Sequence, residues 1–384
     1  MILRLNQWIL AVCCCAVVAA PAIAQKSGAT KEPVVKYTIK WMGNPFNLND
    51  LNSGNYYPSD MNKFGHVVGR VLNRNGATRN SAFVMYSAQE GMIDLNNYFL
   101  FPAILYWSGQ GWTANSADGI NNNGQMAVRM RKIVDGVVTQ GLFRYDPPSV
   151  TLPDGVFVAI QETGVGNGSA INNFGDIAFS SYDTAGIASW RLYVDGVIST
   201  PLMGGVPILG TIVNGLNDFG QIVGVSDGNL VRYDPLSASS PSVLGRTLSD
   251  KAGINSIGEV AFTLAVPKGR GFDSKPARFD VGGLQILRDV GMATDINSEG
   301  DVCGRAGNGV ALLVFPRQGG TVVVDSEVTG TPADVNKWKS VANFQSMVIN
   351  DRLGLTGFGQ LCGEAWVPNG AGSYRSELYL LTAK

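Results

Sequence analysis

The sequence predicts an all-β protein, a single β-propeller of about seven four-stranded blades behind an N-terminal signal peptide. Three observations predict it. An Asn-to-Gly phrase returns seven times, apolar residues flank its copies at fixed places, and helical periodicity is nearly absent.

The phrase reads NKFGHVVG from Asn62 and begins again at Asn121, Asn172, Asn217, Asn255, Asn297 and Asn350, at intervals of 38 to 59 residues. Asn at the first position and Gly at the fourth fit a type I turn. The Asn side chain closes on the backbone ahead of it, and Gly accepts the left-handed conformation that ends a bulged hairpin loop. The residue before each Asn is apolar: Met61, Ile120, Ile171, Leu216, Ile254, Ile296 and Ile349. The fifth residue after it is apolar too: Val67, Met126, Ile177, Ile222, Val260, Val302 and Leu355. Between turn and strand stands a polar residue: His66, Gln125, Asp176, Gln221, Glu259 or Asp301. Such flanks describe hairpins packed against something else. The last copy carries Leu353 and then Gly354 where the others carry Gly, so its turn is expected to differ.

A second phrase follows each copy: an apolar strand ending in an aromatic, a turn, then another strand. Leu142-Phe-Arg-Tyr145 and Leu230-Val-Arg-Tyr233 show it, each followed by Asp-Pro. Two hairpins make a unit of four strands, which cannot cover both faces of its own sheet. A ring of stacked units leaves no exposed end. Tyr37 to Trp41 reads as a spare last strand that can pair in the same blade as residues 377–381 and close the ring. An N-terminal strand added to seven full units leaves one strand over, so six to eight blades fit, with seven preferred. An open β-solenoid and two β-sandwiches are the alternatives. Residues 334–347, with Val335, Trp338, Val341 and Ala342 in loose helical spacing, are the one helix candidate.

Residues 1–24 read as the signal peptide: Arg4 is a short positive region, an apolar run follows, and Ala22-Ile-Ala24 precedes cleavage ahead of Gln25. The run is too short to span a bilayer. A lipoprotein anchored through Cys13, Cys14 or Cys15 is the rival, although Val12 fits poorly before a modified Cys. The reading is therefore a leader at 1–24, a flexible mature N-terminus at 25–36 and a repeat domain at 37–384, soluble, monomeric, and secreted or periplasmic. No transmembrane anchor is expected. The formal net charge is −1, 15% of residues are charged and no basic block appears, which argues against nucleic acid and anionic membranes as partners. Beyond the leader only Cys303 and Cys362 remain. They are either a disulfide, which export permits, or two small core residues.

The phrase [Ile/Leu]-Asn-x-x-Gly-x-[Val/Ile]-[Val/Ala]-Gly, alternating with strands such as Ser81-Ala-Phe-Val-Met-Tyr86, resembles the HAF-type extracellular repeat proteins of bacteria. The resemblance runs from about Tyr37 to the C-terminus. The family's His-Ala-Phe survives only as Ser81-Ala82-Phe83. Membership implies export and a propeller-like fold, and supplies no activity.

No catalytic constellation emerges. Gly224-Val-Ser226-Asp-Gly228 matches a serine-hydrolase motif, but that motif needs a strand-to-helix elbow and a His near the Ser. His66 is the one His in the chain and reads as a solvated strand residue. A lone His argues against His-based metal sites, and no EF-hand spacing occurs, so no cofactor or metal is expected. Residues 181–190 faintly resemble the Asp-box turns of sialidase-like propellers. The aromatic insertion Tyr98, Phe99, Phe101, Tyr106, Trp107, Trp112 offers faces for sugars or a protein partner, or else fills an extra hairpin's core. If it binds, Tyr106, Trp107 and Trp112 are the candidates. The expected role is a non-enzymatic binding or surface-scaffold module for a protein or carbohydrate ligand. The alternative is an exported propeller enzyme acting on carbohydrate. Three or more Asp, Glu, Tyr or Arg side chains converging on the central cavity would favour the enzyme.

Overall fold

The computed structural model describes residues 37–42, 55–72, 81–86, 91–97, 101–350 apart from 204, 211, 238–241, 308, 310 and 325–327, then 359–368 and 374–383. All belong to one compact unit, Val34–Lys384. The leader, residues 25–36, and Tyr98, Phe99, Leu353, Gly354 and Leu355 lie outside the described residues.

The fold is all-β and propeller-like. Its sheets are antiparallel meanders, as in Asn55–Met61, Val67–Leu72, Ser81–Met85 and Ile93–Asp94. The same order recurs in Trp112–Ile120, Met126–Val134, Val137–Asp146 and Val156–Gln161. One long strand, Ser242–Ile254, belongs to two successive meanders: its first residues pair with Asn229–Tyr233 and its last with Val260–Lys268.

The strand surplus of the sequence reading resolves at the chain ends. The final meander has three strands of its own, Asn343–Ile349, Leu361–Pro368 and Tyr374–Ala383. Tyr37–Trp41 is its fourth, antiparallel to Tyr374–Ala383, with Tyr37 opposite Ala383 and Trp41 opposite Tyr379. Val328–Thr329 extends that edge in parallel. Backbone bonds across these strands tie the first described segment to the last and cover an edge that would otherwise pair with another chain.

Each described turn of the phrase is built alike. The Asn N–H donates to the carbonyl four residues on, and the Gly N–H donates to the Asn carbonyl, as in Asn217 to Gln221 and Gly220 to Asn217. The turn glycines, Gly65 to Gly300, hold φ between 73° and 84°. The seventh hairpin is longer. Asn350 N–H donates to Gln360 O, and Ile349 pairs with Leu361. Leu361, not Leu355, therefore occupies the apolar place after the turn. The stretch Gly359-Gln360-Leu361-Cys362-Gly363 repeats Gly220-Gln221-Ile222-Val223-Gly224 and marks it in the sequence.

The core lies between neighbouring sheets. One cluster joins Tyr37, Trp338, Phe344 and Tyr379 to Cys303, and another joins Tyr56, Phe83, Met85 and Leu378 to Cys362. Burying each large side chain contributes roughly 1.5–3 kcal/mol. The two cysteines thus sit in different clusters as free, buried thiols, and the suggested bridge is not formed. The helix candidate also needs correction. The helix is Pro332–Lys339, N-capped by Thr331, whose Oγ1 accepts from Asp334 N–H at 3.2 Å. Phe344 and Met347 instead lie on the strand Asn343–Ile349, both buried in the core. The Thr331-Pro332 pair was the legible start signal.

Candidate functional site: the central cavity

The inner strand of each meander ends at the repeat Asn, and each Asn side chain makes contacts in two directions. Within its own turn, Oδ1 accepts from the N–H groups two and four residues on, as Asn217 does from Phe219 and Gln221, both at 3.1 Å. Outward, Nδ2 donates to the carbonyl of the next repeat Asn. These links run Asn62 to Asn121 (3.0 Å), Asn121 to Asn172 (2.9 Å), Asn172 to Asn217 (3.4 Å) and Asn217 to Asn255 (3.1 Å). They continue from Asn255 to Asn297 (3.1 Å) and Asn297 to Asn350 (3.3 Å), and return from Asn350 to Asn62 (3.4 Å). All seven asparagines are buried.

The polar residue after the turn accepts the other Nδ2 hydrogen. Gln125 does so at 2.8 Å, Asp176 at 2.9 Å, Gln221 at 2.7 Å and Glu259 at 2.8 Å. This corrects the solvated reading of His66, whose Nδ1 faces Asn62 Nδ2 at 3.3 Å and whose ring meets Tyr86 edge-on at 5.3 Å. A further link was missed in the sequence. The Arg of the second phrase reaches the next turn's Gly carbonyl: Arg144 to Gly175 (3.3 Å), Arg232 to Gly258 (2.9 Å) and Arg278 to Gly300 (3.0 Å). Its signal was the repeated Arg before the strand-ending aromatic.

Below the asparagines the inner strands bulge. Register shifts fall between Pro58 and Asp60, Ala117 and Gly119, Val213 and Gly215, and Ala293 and Asp295. The extra residues are Ser59, Asp118, Asn214 and Thr294, and all four line a central cavity of about 560 Å³. The phrase's final Gly makes room for the bulge: a Cβ on Gly304 would run into the Met292 carbonyl. A smaller cavity of about 190 Å³ lies at the asparagines themselves.

The cavity wall is strongly charged. Asp118 is paired bidentately with Arg129, at 2.5 and 2.9 Å, and also accepts from Ser116 Oγ at 2.6 Å and Ser169 Oγ at 3.0 Å. Burial pushes its carboxyl up, but the Arg129 charge and these donors outweigh that and hold it below the ordinary range. Asp60 spans two units, accepting from Met61 N–H at 2.8 Å and Ile120 N–H at 2.9 Å. Asp295 accepts from Ile349 N–H at 3.0 Å. Burial raises both carboxyls, and Asp295, further pushed by the Asp60 charge, stands at about 7. Arg305 is held by Phe344 O at 2.5 Å and Asn343 Oδ1 at 3.3 Å.

Two cations differ from these. Neither Lys251 Nζ nor the Arg70 guanidinium makes an ion pair or hydrogen bond among the described residues, although Arg70 lies over the Tyr57 ring at 5.2 Å. Burial lowers the Lys251 amine, and the Arg70 charge lowers it further against the pull of Asp250, Asp118 and Asp295. Many of the Asp, Tyr and Arg groups that converge here are already committed to backbone or to each other. Lys251 and Arg70 are not.

The aromatic insertion is placed otherwise than the sugar-stacking reading required. Trp112 is buried in a core cluster with Phe143 at 5.2 Å. Trp107 packs on the same Phe143 at 4.8 Å and donates Nε1–H to Phe157 O at 3.1 Å. Tyr106, on the short helix Leu105–Gly109, is 67% exposed. Trp112 is core, Trp107 is half-buried against that core, and Tyr106 is the most exposed of the three. Ser226 of the Gly-x-Ser-x-Gly stretch pairs with Asn229 across a two-residue turn with Asp227 at φ 49° and Gly228 at φ 74°, so no nucleophile elbow exists there. Among the described residues no three His, Cys, Asp or Glu side chains group as metal ligands, and no helix is long and apolar enough to cross a membrane.

No protein-family model and no curated protein matches the chain. Solved structures similar in outline include a virginiamycin B lyase from Staphylococcus aureus, at 11% identity and TM-score 0.40, covering 90% of this chain and 99% of that one. A regucalcin from Agrobacterium tumefaciens, described as calcium-binding, gives 11% identity and TM-score 0.38 over 86% of this chain and 90% of that one. Prolyl oligopeptidase B from Galerina marginata gives 8% identity and TM-score 0.47, over 85% of this chain and 51% of its own length. At these identities and scores, none of them gives a residue of this cavity a role.

Proposed function

We propose that the chain is an exported, HAF-like, seven-bladed propeller that works outside the cytoplasm as a binding module and takes a small polar ligand in its central cavity. The observation that carries this reading is the pair of cations, Lys251 and Arg70, facing a cavity of about 560 Å³ with no ion pair or hydrogen bond among the described residues. That volume lies within the range of small-molecule sites, and convergent polar groups are what orient a ligand in such a site. The seven linked asparagines support the blade number, and the leader supports export. N-terminal sequencing of protein from the medium or periplasm tests the address: the mature chain starts at Gln25. Thermal-shift screening of small polar solutes tests the cavity, against Asn167→Trp, which plugs it from an exposed wall position. The reading fails if no solute raises the melting temperature, or if the plugged variant responds equally.

Asp60 and Asp295 support a second reading, a propeller enzyme acting on carbohydrate. A carboxyl near pKa 7 beside a second carboxyl is a usable acid–base pair. Hydrolysis of aryl glycosides that disappears in Asp295→Asn would favour it over simple binding.

A further inference from the structure

The central cavity has charge of both signs, and its commitments decide which sign a ligand meets. Formally four aspartates, Asp60, Asp118, Asp250 and Asp295, line it beside four cations, Arg70, Arg129, Lys251 and Arg305. The Asp118 and Arg129 charges cancel through their bidentate pair. Arg305 is spent on the Phe344 carbonyl and Asn343. Asp60 and Asp295 use their oxygens on the backbone N–H groups of Ile120 and Ile349 in the neighbouring units. What faces the cavity without an ion pair or hydrogen bond among the described residues is Lys251, Arg70 and the exposed Asp250, whose pull on Lys251 exceeds the Arg70 repulsion. Two cations against one carboxylate leave one positive charge over. A single anion placed between the two cations balances that remaining charge. Four aspartates on the same wall limit how much negative charge the site accepts, so one charge is favoured over two.

We infer that Lys251 and Arg70 form the specificity pair of the cavity, and that the ligand is a small organic acid held by its single carboxylate between them. The inference rests on the cavity-binding reading above and deepens it by naming the chemical class. Guanidinium and ammonium groups both donate to carboxylate oxygens through short, charge-assisted hydrogen bonds. The cavity's size admits an acid as large as a single sugar unit.

Titration calorimetry at low salt tests it with acids and their neutral counterparts: glycerate against glycerol, lactate against propanediol, galacturonate against galactose, with inorganic phosphate as the dianion. At least one acid binds the wild-type chain ten times or more tightly than its neutral counterpart and than phosphate. Lys251→Met and Arg70→Leu each abolish that preference, while Lys339→Met, on the exposed end of the helix, keeps it. Melting curves verify that the variants fold, and Lys251→Arg, which keeps the charge, retains the preference for acids over neutral solutes. Neutral solutes binding as well as acids would overturn the inference and leave the cavity reading standing. So would phosphate outbinding every acid, or either charge-removing variant keeping the preference. No solute binding at all would remove both.

Discussion

Asn350 donates its side-chain N–H to the carbonyl of Asn62, 288 positions earlier in the chain, at 3.4 Å. That bond is the last of seven equivalent links, and it gives each asparagine a structural role beyond its own turn. One small amide accepts two backbone hydrogens in its turn, donates to the next turn and donates to the polar residue that follows. No other side chain of that size carries one acceptor and two donors in that arrangement.

Asn255→Ala removes the Asn297 link and the Glu259 contact and leaves the buried Glu259 carboxylate without that donor. Losing several buried hydrogen bonds at once costs about 3 kcal/mol. Urea unfolding measures it as a lower midpoint with an unchanged slope. A cost below about 0.5 kcal/mol would show that the link contributes nothing.

Gly300 holds φ at 84°, and a Cβ there would lie 2.6 Å from Glu259 Oε2 of the preceding unit. Gly300→Ala is therefore strained twice, by the backbone and by the neighbour, and loses more than about 1 kcal/mol. Gly136, equally left-handed at φ 77° but with open space around it, separates the two causes. Gly136→Ala shows the backbone part alone, so it melts above Gly300→Ala.

Trp112→Ala empties a core position and lowers stability by about 3–5 kcal/mol. Tyr106→Ala, on the exposed helix face, changes the melting temperature little. Comparing the two variants by thermal unfolding distinguishes a packed insertion from a binding platform.

The Asp295 carboxyl stands at about 7 in the folded chain, against about 3.9 for an unfolded Asp. Between those values the folded state holds a proton that the unfolded state has lost, so stability falls as pH rises from about 4 to 7. The loss is at most about 4 kcal/mol, and less where the cavity admits water. Asp295→Asn retains an acceptor for Ile349 N–H and removes the charge. Its urea midpoint changes less than wild type between pH 5 and pH 8. An identical pH dependence in the two proteins would place the titrating group elsewhere.

Much of this fold was legible in the sequence because its signals are local. The Asn-to-Gly turns, their apolar flanks and the N-terminal strand that completes the last meander all follow from residues read in place. The seventh hairpin was misread because its closing half, Gly359 to Gly363, lies six residues farther from Asn350 than in the other copies, beyond a fixed-length phrase. The cavity was not legible. Its wall is built from bulged residues such as Asp118 and Asn214, whose direction depends on a register slip that alternation does not encode. Lys251 stands out only when Arg129 and Arg305 are seen to be engaged. For Trp107 and Trp112 the sequence left core filling and ligand stacking both open, because aromatic density looks the same whether it fills a core or faces solvent.

Closure of the chain on itself is the claim on which the cavity depends, and hydrogen exchange read by mass spectrometry tests it most directly. Peptides covering Tyr37–Trp41 and Tyr374–Ala383 are predicted to be protected as strongly as those covering Ile212–Leu216 and Ile222–Ser226. Exchange at Tyr37–Trp41 orders of magnitude faster than in those inner strands would mean that the ends fray, and would contradict the closed ring.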